Sequence, residues 1–457
     1  MRGPEPHFLL TENDLRHHQA RICVLALAAL PLFGQYGGFG GPSILSRSNG
    51  PSGRTGSNPV AFRPFAGVSG NYSTNMNRQD NSSGTATLGY RDTLGVTGSV
   101  GLQGYKTNER TSTSVDLSLS YFWTKVSAVS RGLAESVNIT HSRQLSRRVS
   151  WYLGASVQSN NRSIGFANSR YSPEPLPELT PQSDEIFDSR ITRGNFGTGV
   201  TFQKSARLSF SAQVGAFGAE RSQKTLADSR GFMGQASMQY SLSRRQYVGA
   251  SFAYGTFYFP GTYGETRYYS PQAFYGVNLN REWNLNFAAG IFQAHTDRLI
   301  RVQLDPFIAQ LTGQSSVLEI YSGDNRGFSG EVSLNGNYRR WGISLAGRRG
   351  LMPGNGIYLT SQMTQVNLNV SHTLGRSASF AVYARGAEMK ALTQSIRNGR
   401  YYSGGTSFTY RLTDYLSFAS SVGYFKTQAA GQRIEYNRLG AMAGIYLAPG
   451  ELPLQIF

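Results

Sequence analysis

Three histidines follow residue 33, His141, His295 and His372, and histidine is the residue type best suited to acid–base chemistry at neutral pH. His295 stands in "QAHTDR" with Asp297 nearby, a combination that can orient and charge an imidazole but needs a nucleophile or a metal to react. No nucleophile elbow, phosphate loop or metal-spaced histidine pair accompanies it. His141 and His372 sit beside short basic turns. A second constellation, Glu178, Asp184, Glu185 and Asp188 in "RYSPEPLPELTPQSDEIFDSR", offers carboxylates to a divalent cation, and a solvated acidic loop has the same composition. The chemistry therefore reads as non-enzymatic, with no catalytic residue, no metal and no cofactor expected.

The elements that must hold these residues repeat. "MQYSLSRRQYVGASFAY" from Met238 has close variants from Val137, Val200, Tyr275, Val332, Val366 and Thr406. On either side of each basic interruption the apolar residues fall every second position, as in Val149, Trp151, Leu153, Ala155 and Val157. That is the period of a strand. Each unit reads as strand, tight turn, strand.

Of the 457 residues, 39% are hydrophobic and 15% charged, 53 are glycine and 12% are aromatic, a balance foreign to a soluble core of this length. Near the N-terminus "ICVLALAALPLF", Ile22 to Phe33, has the length of a secretory h-region and is too short to span a bilayer as a helix. Residues 1–34 are expected to be an export signal with a polar leader, and residues 35–60 a flexible Gly/Ser-rich periplasmic segment. The only cysteine, Cys23, lies in the signal, so the exported chain has no thiol for a disulfide or a metal.

Beyond Phe33 no apolar run is long enough for a membrane helix. The other structure that satisfies every backbone group in lipid is a closed β-barrel, whose strands need only about 9–11 residues. Residues 61–457 are expected to form one: an all-β, transmembrane antiparallel barrel of about 18 strands, within a range of 16–20. Tight turns near Ser146, Lys204, Ser243, Asn280, Arg339, Gly375 and Thr413 mark the periplasmic end, and longer connections the outside. Fifteen strands fall between Ala134 and Leu447, and upstream four more are expected near Phe62–Tyr72, Gly84–Tyr90, Leu94–Tyr105 and Ser112–Trp123. An even total requires one of these to lie off the wall, or a fifth in "TKVSAVSRG". The strands returning from outside share an opening, "DSRGFMGQAS" at Asp228, "DNRGFSGEVS" at Asp324 and "SRGLAESV" at Ser130. Two outside loops are long, about Ser159–Arg193 and Thr296–Arg326; the second is expected either to fold inward as a plug or to cap the mouth.

The signal, the alternating hairpins with LSRR-like turns, the aromatic strands and the terminal Phe457 resemble a Gram-negative outer-membrane β-barrel, in particular the porin-like barrels that accompany exopolysaccharide export. The resemblance implies outer-membrane lipid and the barrel-assembly machinery as partners, and polysaccharide or its export machinery as a further one. One departure is the tail "PGELPLQIF" after the last strand, where such barrels end on the strand itself.

The net charge of +18 does not point to nucleic acid, because Arg147, Arg148, Arg207, Arg244, Arg245, Arg281, Arg339, Arg340 and Arg376 cluster at the tight turns, where anionic headgroups attract them. Alternation places Arg348, Arg385, Arg411 and Arg438 toward the lumen with Tyr383, and Asp116 and Glu331 as the clearest acids. The remaining inward positions are mostly Ser, Asn, Gln, Thr and Gly. Such a wall suits hydrated neutral or anionic solutes, polysaccharide among them. Two alternatives stay open: a non-conducting barrel that binds through its long loops, and an outer-membrane hydrolase.

Overall fold

The structure, a computed structural model, describes residues 60–80, 87–124, 131–161, 190–223, 226–260, 264–303, 307, 310, 315–354, 356, 359–375, 377–392, 398–429, 434–448 and 452–454. The expected signal and glycine-rich segment, Glu178, Asp184, Glu185, Asp188, Arg376 and Phe457 lie outside these residues. The strands are β1 (Val60–Asp80), β2 (Thr87–Asn108), β3 (Thr111–Thr124), β4 (Arg131–Gln144), β5 (Val149–Asn161), β6 (Arg190–Gln203), β7 (Leu208–Arg221), β8 (Ser229–Ser241) and β9 (Gln246–Phe259). They continue with β10 (Gly264–Asn278), β11 (Trp283–Gln303), β12 (Ser316–Tyr338), β13 (Trp341–Pro353), β14 (Thr360–Leu374), β15 (Ala378–Ala391), β16 (Gly399–Arg411), β17 (Leu416–Ala429), β18 (Ile434–Leu447) and the short β19 (Leu452–Leu454).

Each of β1 to β18 pairs antiparallel with its chain neighbours, and β1 closes the ring on β18 from Ala66 opposite Leu447 to Ser73 opposite Gly440. The wall is thus a closed 18-stranded antiparallel barrel. The even count arises differently from the expectation that one upstream strand lies off the wall: the described part of the expected Gly84–Tyr90 segment, from Thr87 on, and Leu94–Tyr105 belong to a single strand, β2. The tail pairs too, β19 meeting β1 from Leu454 opposite Val60 to Leu452 opposite Phe62.

The tight turns are held by one device. The Ser146, Ser205 and Ser243 hydroxyls, the Asn280 side-chain carbonyl and the Thr413 hydroxyl each accept from two backbone N–H groups two and three residues on, at 2.8–3.3 Å. This is why Ser, Thr or Asn precedes the turn arginines: a short side-chain acceptor stabilises the reversal locally.

The inner face shows why glycine is abundant. Phe122 stands directly opposite Gly132, Phe217 opposite Gly231 and Phe292 opposite Gly327, and a Cβ on these glycines would come within 2.0–2.6 Å of the ring. The recurring Arg-Gly of the returning strands is therefore a seat for an aromatic ring of the strand before. A glycine in a strand costs roughly 0.5–1 kcal/mol relative to alanine. Burying an aromatic side chain contributes about 1.5–3 kcal/mol, so the pair is net favourable.

The wall opens between β12 and β13. β11 and β12 pair over their full length to Gln303 opposite Ser316, but β12 pairs with β13 only up to Gly330 opposite Arg349. Above that level the two strands diverge.

Candidate pore and constriction

The faces separate cleanly. Val68, Leu94, Val96, Leu119, Ile291 and Phe328 are exposed on the outside, Ile291 to 62%, while the intervening Ser69, Thr93, Thr97 and Ser120 are buried on the inside. Trp151, Trp283 and Trp341 sit on the outer face at the tight-turn end of their strands, and Trp123 at the opposite end of β3. Trp341 stacks on His372 at 4.0 Å and Trp151 lies 5.4 Å from His141. An apolar belt edged with aromatics is the surface a lipid bilayer requires.

Inside, cross-strand hydroxyl and amide pairs dominate. Ser114–Thr140, Ser118–Ser136 and Ser211–Ser237 meet at 2.6 Å, and Gln213 links to Gln235 at 2.7 Å and to the Tyr152 hydroxyl at 2.8 Å. Asp116 lies opposite Gln103 and Asn138 in this polar zone.

The sequence-derived lumen residues separate into three places. Glu331 pairs in register with Arg348, Arg348 with Gln365, and the Arg385 guanidinium donates to the Gln365 side-chain carbonyl at 3.2 Å, so two cations and one acid share one stretch of β12–β15. Tyr383 follows on β15, its hydroxyl over Gly405. Arg411 sits at the tight-turn end of β16, beside Ser417. Arg438 is near the opposite end, 3% exposed, donating to the Ser73 hydroxyl at 2.6 Å across the closing seam. Arg63 and Arg193 occupy inward positions that the pattern reading missed, opposite Gln103 and Gln158.

His295 is on the outer face, its Nδ1 2.8 Å from Asp324 and its Nε2 3.3 Å from Asp297. Ser322 donates to Asp297 and not to the imidazole, so His295, Asp297, Ser322 and Asp324 form a hydrogen-bonded polar cluster on the barrel exterior in which the hydroxyl is turned to a carboxylate.

The described arms of the 296–326 segment, residues 296–303 and 315–326, do not fold into the lumen. Arg298–Val302 pair only with Val317–Tyr321, forming a two-stranded ribbon beyond the wall on which Leu318 and Ile320 are 60% and 70% exposed. The arms therefore do not plug the lumen; the turn between them, on which the choice between plug and cap rests, lies mostly outside the described residues. Strand continuation wins because alternating residues on both arms pair without a break.

The inward element is the outer end of β13 and β14. Leu351 shares strand parity with the outward Leu345 and Arg349, yet it is 4% exposed and packs with Phe257, Tyr268, Phe292 and Ala294 on the inner face of β9–β11. The hairpin has therefore passed inside the wall. Thr360 meets Thr266 at 2.5 Å, and Gln362 donates to the Phe328 carbonyl at 3.2 Å while accepting from Arg349. Its tip reaches the β7–β8 turn, where the Ala227 N–H donates to the Gly356 carbonyl at 3.0 Å. Gly356 has φ +90°, and a Cβ there would lie 3.0 Å from Arg221 and Leu226. Since β9–β12 separate β8 from β13 around the ring, this contact crosses part of the mouth. An apolar cluster and a latched hairpin thus narrow the outer half of a polar barrel. The "GLMPGNG" stretch carried the turn signal, but nothing in its pattern gives the direction of the bend.

No family model and no curated protein matches the sequence. Among solved structures, a BenF-like porin from Pseudomonas fluorescens Pf-5 is similar with a TM-score of 0.43 and 10% identity, covering 85% of this chain and 98% of that one. Pseudomonas aeruginosa OccK2 (OpdF) is similar with a TM-score of 0.41 and 11% identity, covering 85% and 98%. The E. coli K12 ferric-catecholate import receptor Fiu has a TM-score of 0.41 and 8% identity, covering 84% and 81%.

Proposed function

We propose that the chain is an outer-membrane pore for hydrated neutral or anionic solutes. The observation that carries this reading is the contrast between the two faces: an apolar belt outside, and inside a wall of hydroxyls and amides with Arg348 and Arg385 set against few acids. Neutral hydrogen-bonding groups exchange with a solute's hydration shell at little cost. Fixed positive charge in a narrow aqueous path raises the local anion concentration. Solutes rich in hydroxyl groups, exopolysaccharide segments among them, fit the same wall. The infolded β13–β14 hairpin is the constriction of this path.

Planar-bilayer recording tests the reading. The purified barrel is expected to conduct with mild anion preference, and a variant lacking residues 354–359 to conduct more. A folded barrel silent with and without those residues would overturn the pore. The second reading, a barrel that binds at the cell surface, is favoured in that case by the exposed Leu318 and Ile320 on the β11–β12 ribbon.

A further inference from the structure

The turn arginines are not one population. Residues 110, 148, 207, 245 and 340 are all arginine, and each immediately precedes a strand leaving the tight-turn end. Their carbonyls accept from Gln144, Gln203, Ser241, Asn278 and Thr373 of the neighbouring strand at 2.7–2.9 Å. Three of them are also fixed through their N–H groups, Arg148, Arg207 and Arg245 donating to Ser146, Ser205 and Ser243 at 3.1–3.2 Å. These arginines thus extend the ladder by one residue, and ladder position sets the side-chain face. Gln144, Gln203, Ser241, Asn278 and Thr373 alternate with the outward apolar residues of their strands, so the five arginines take lumen parity. Arg147, Arg244 and Arg281 lie within the turns, outside that ladder.

The expectation that all turn arginines serve lipid headgroups does not follow for the ladder set. Glu282 holds the equivalent place on the β10–β11 turn, its carbonyl accepting from Asn337 at 2.8 Å. The five arginines are exposed. The Arg–carboxylate pairs Arg190–Glu135, Arg267–Glu265 and Arg400–Glu388 lie at the opposite end of the barrel.

We propose that this mouth is a vestibule binding polyanionic solutes, small molecules that carry several sulfonate, phosphate or carboxylate groups, and gathers them from the periplasmic side. The proposal deepens the pore reading and rests on it for the direction of capture. Eighteen strands about 4.8 Å apart and tilted about 40° give a ring of roughly 18 Å radius. The Debye length is about 3 Å at 1 M salt and about 30 Å at 0.01 M, so the rim field vanishes within the wall at high salt and spans the mouth at low salt. Binding should therefore be strongly salt-dependent, and one solute should engage arginines from several turns at once.

The test uses the full chain folded in detergent and the trisulfonate dye pyranine, followed by fluorescence anisotropy at about 0.01 M and 1 M salt. The ladder triple Arg148→Gln, Arg207→Gln, Arg245→Gln is compared with the off-ladder triple Arg147→Gln, Arg244→Gln, Arg281→Gln, which removes the same charge. Pyranine affinity is expected to fall about tenfold in the ladder triple and less than about twofold in the other, with the difference lost at high salt. Lysine at the three ladder positions should restore most of the binding, and heat-modifiable gel mobility checks folding of all variants. Equal losses in both triples, or none in the ladder triple, overturn the vestibule. Current recording separates this from the pore reading. Conduction with ladder-independent pyranine binding sinks the vestibule alone, whereas ladder-dependent binding by a silent barrel sinks the pore and leaves the vestibule standing.

Discussion

At the residue scale, the sign of a substitution depends on which face its strand parity selects. Leu153 lies opposite His141 and Thr198 on the outer face, while Ser156 accepts from Asn195 at 3.2 Å on the inner one. Leu153→Arg is expected to destabilise the barrel by roughly 2–4 kcal/mol if it lies near mid-membrane, and Ser156→Arg to be tolerated. Folding yield in lipid vesicles reads the difference, and equal yields would refute the assigned faces. Phe380, opposite His372 and Phe408 close to the β14–β15 turn, should give a smaller effect, since the cost falls to about 0–1 kcal/mol at the interface. The aromatic seats give a second test. Gly231→Val or Gly327→Val should lower stability by about 1–3 kcal/mol, because the side chain displaces Phe217 or Phe292. A shift of the urea midpoint measures this, and an unshifted midpoint would show that the rings do not need the space.

At the element scale, the β13–β14 hairpin is the part whose movement would change function without breaching the wall. Its apolar contacts with Phe257, Tyr268 and Phe292 hold it inside, and Gly356 fastens its tip to the β7–β8 turn. A valine at Gly356 meets both a left-handed backbone and the Arg221 and Leu226 side chains. Gly356→Val is expected to release the tip, raising single-channel conductance or flicker in planar bilayers while folding is retained. Unchanged current would place the narrowest point elsewhere. The wall tolerates this inward bend because β12–β13 pairing continues to Gly330 and Arg349, and beyond that level β12 stays paired with β11 and β13 with β14.

At the scale of the whole molecule, the two ends differ in charge and in shape, with basic turns at one and ion pairs and an infolded hairpin at the other. Of the four arginines read from the pattern, Arg348 and Arg385 converge on Gln365, whereas Arg438 is held by Ser73 and Arg411 sits at the rim. The double substitution Arg348→Gln, Arg385→Gln should therefore remove most of the anion preference, measured as the reversal potential across a salt gradient at about 1 M, where rim charges are screened. A preference that survives this pair and falls only on changing Arg411 would move selectivity to the mouth.

The alternation of Val149, Trp151, Leu153, Ala155 and Val157, repeated hairpin after hairpin, determined the strands, their faces and the ring. A period of two fixes which side chains share a face, whatever the strand packs against. The turn chemistry was equally local, since Ser146, Ser243 or Thr413 needs only residues two and three places on. The joining of two expected segments into β2, the inward bend of "GLMPGNG", the outward run of the β11–β12 ribbon and the ladder position of Arg148, Arg207 and Arg245 were decided only by the tertiary structure. Each depends on which neighbour offers a free hydrogen-bonding edge or an apolar surface. That neighbour lies across the sheet or the lumen, where the sequence order of a single hairpin carries no information about it.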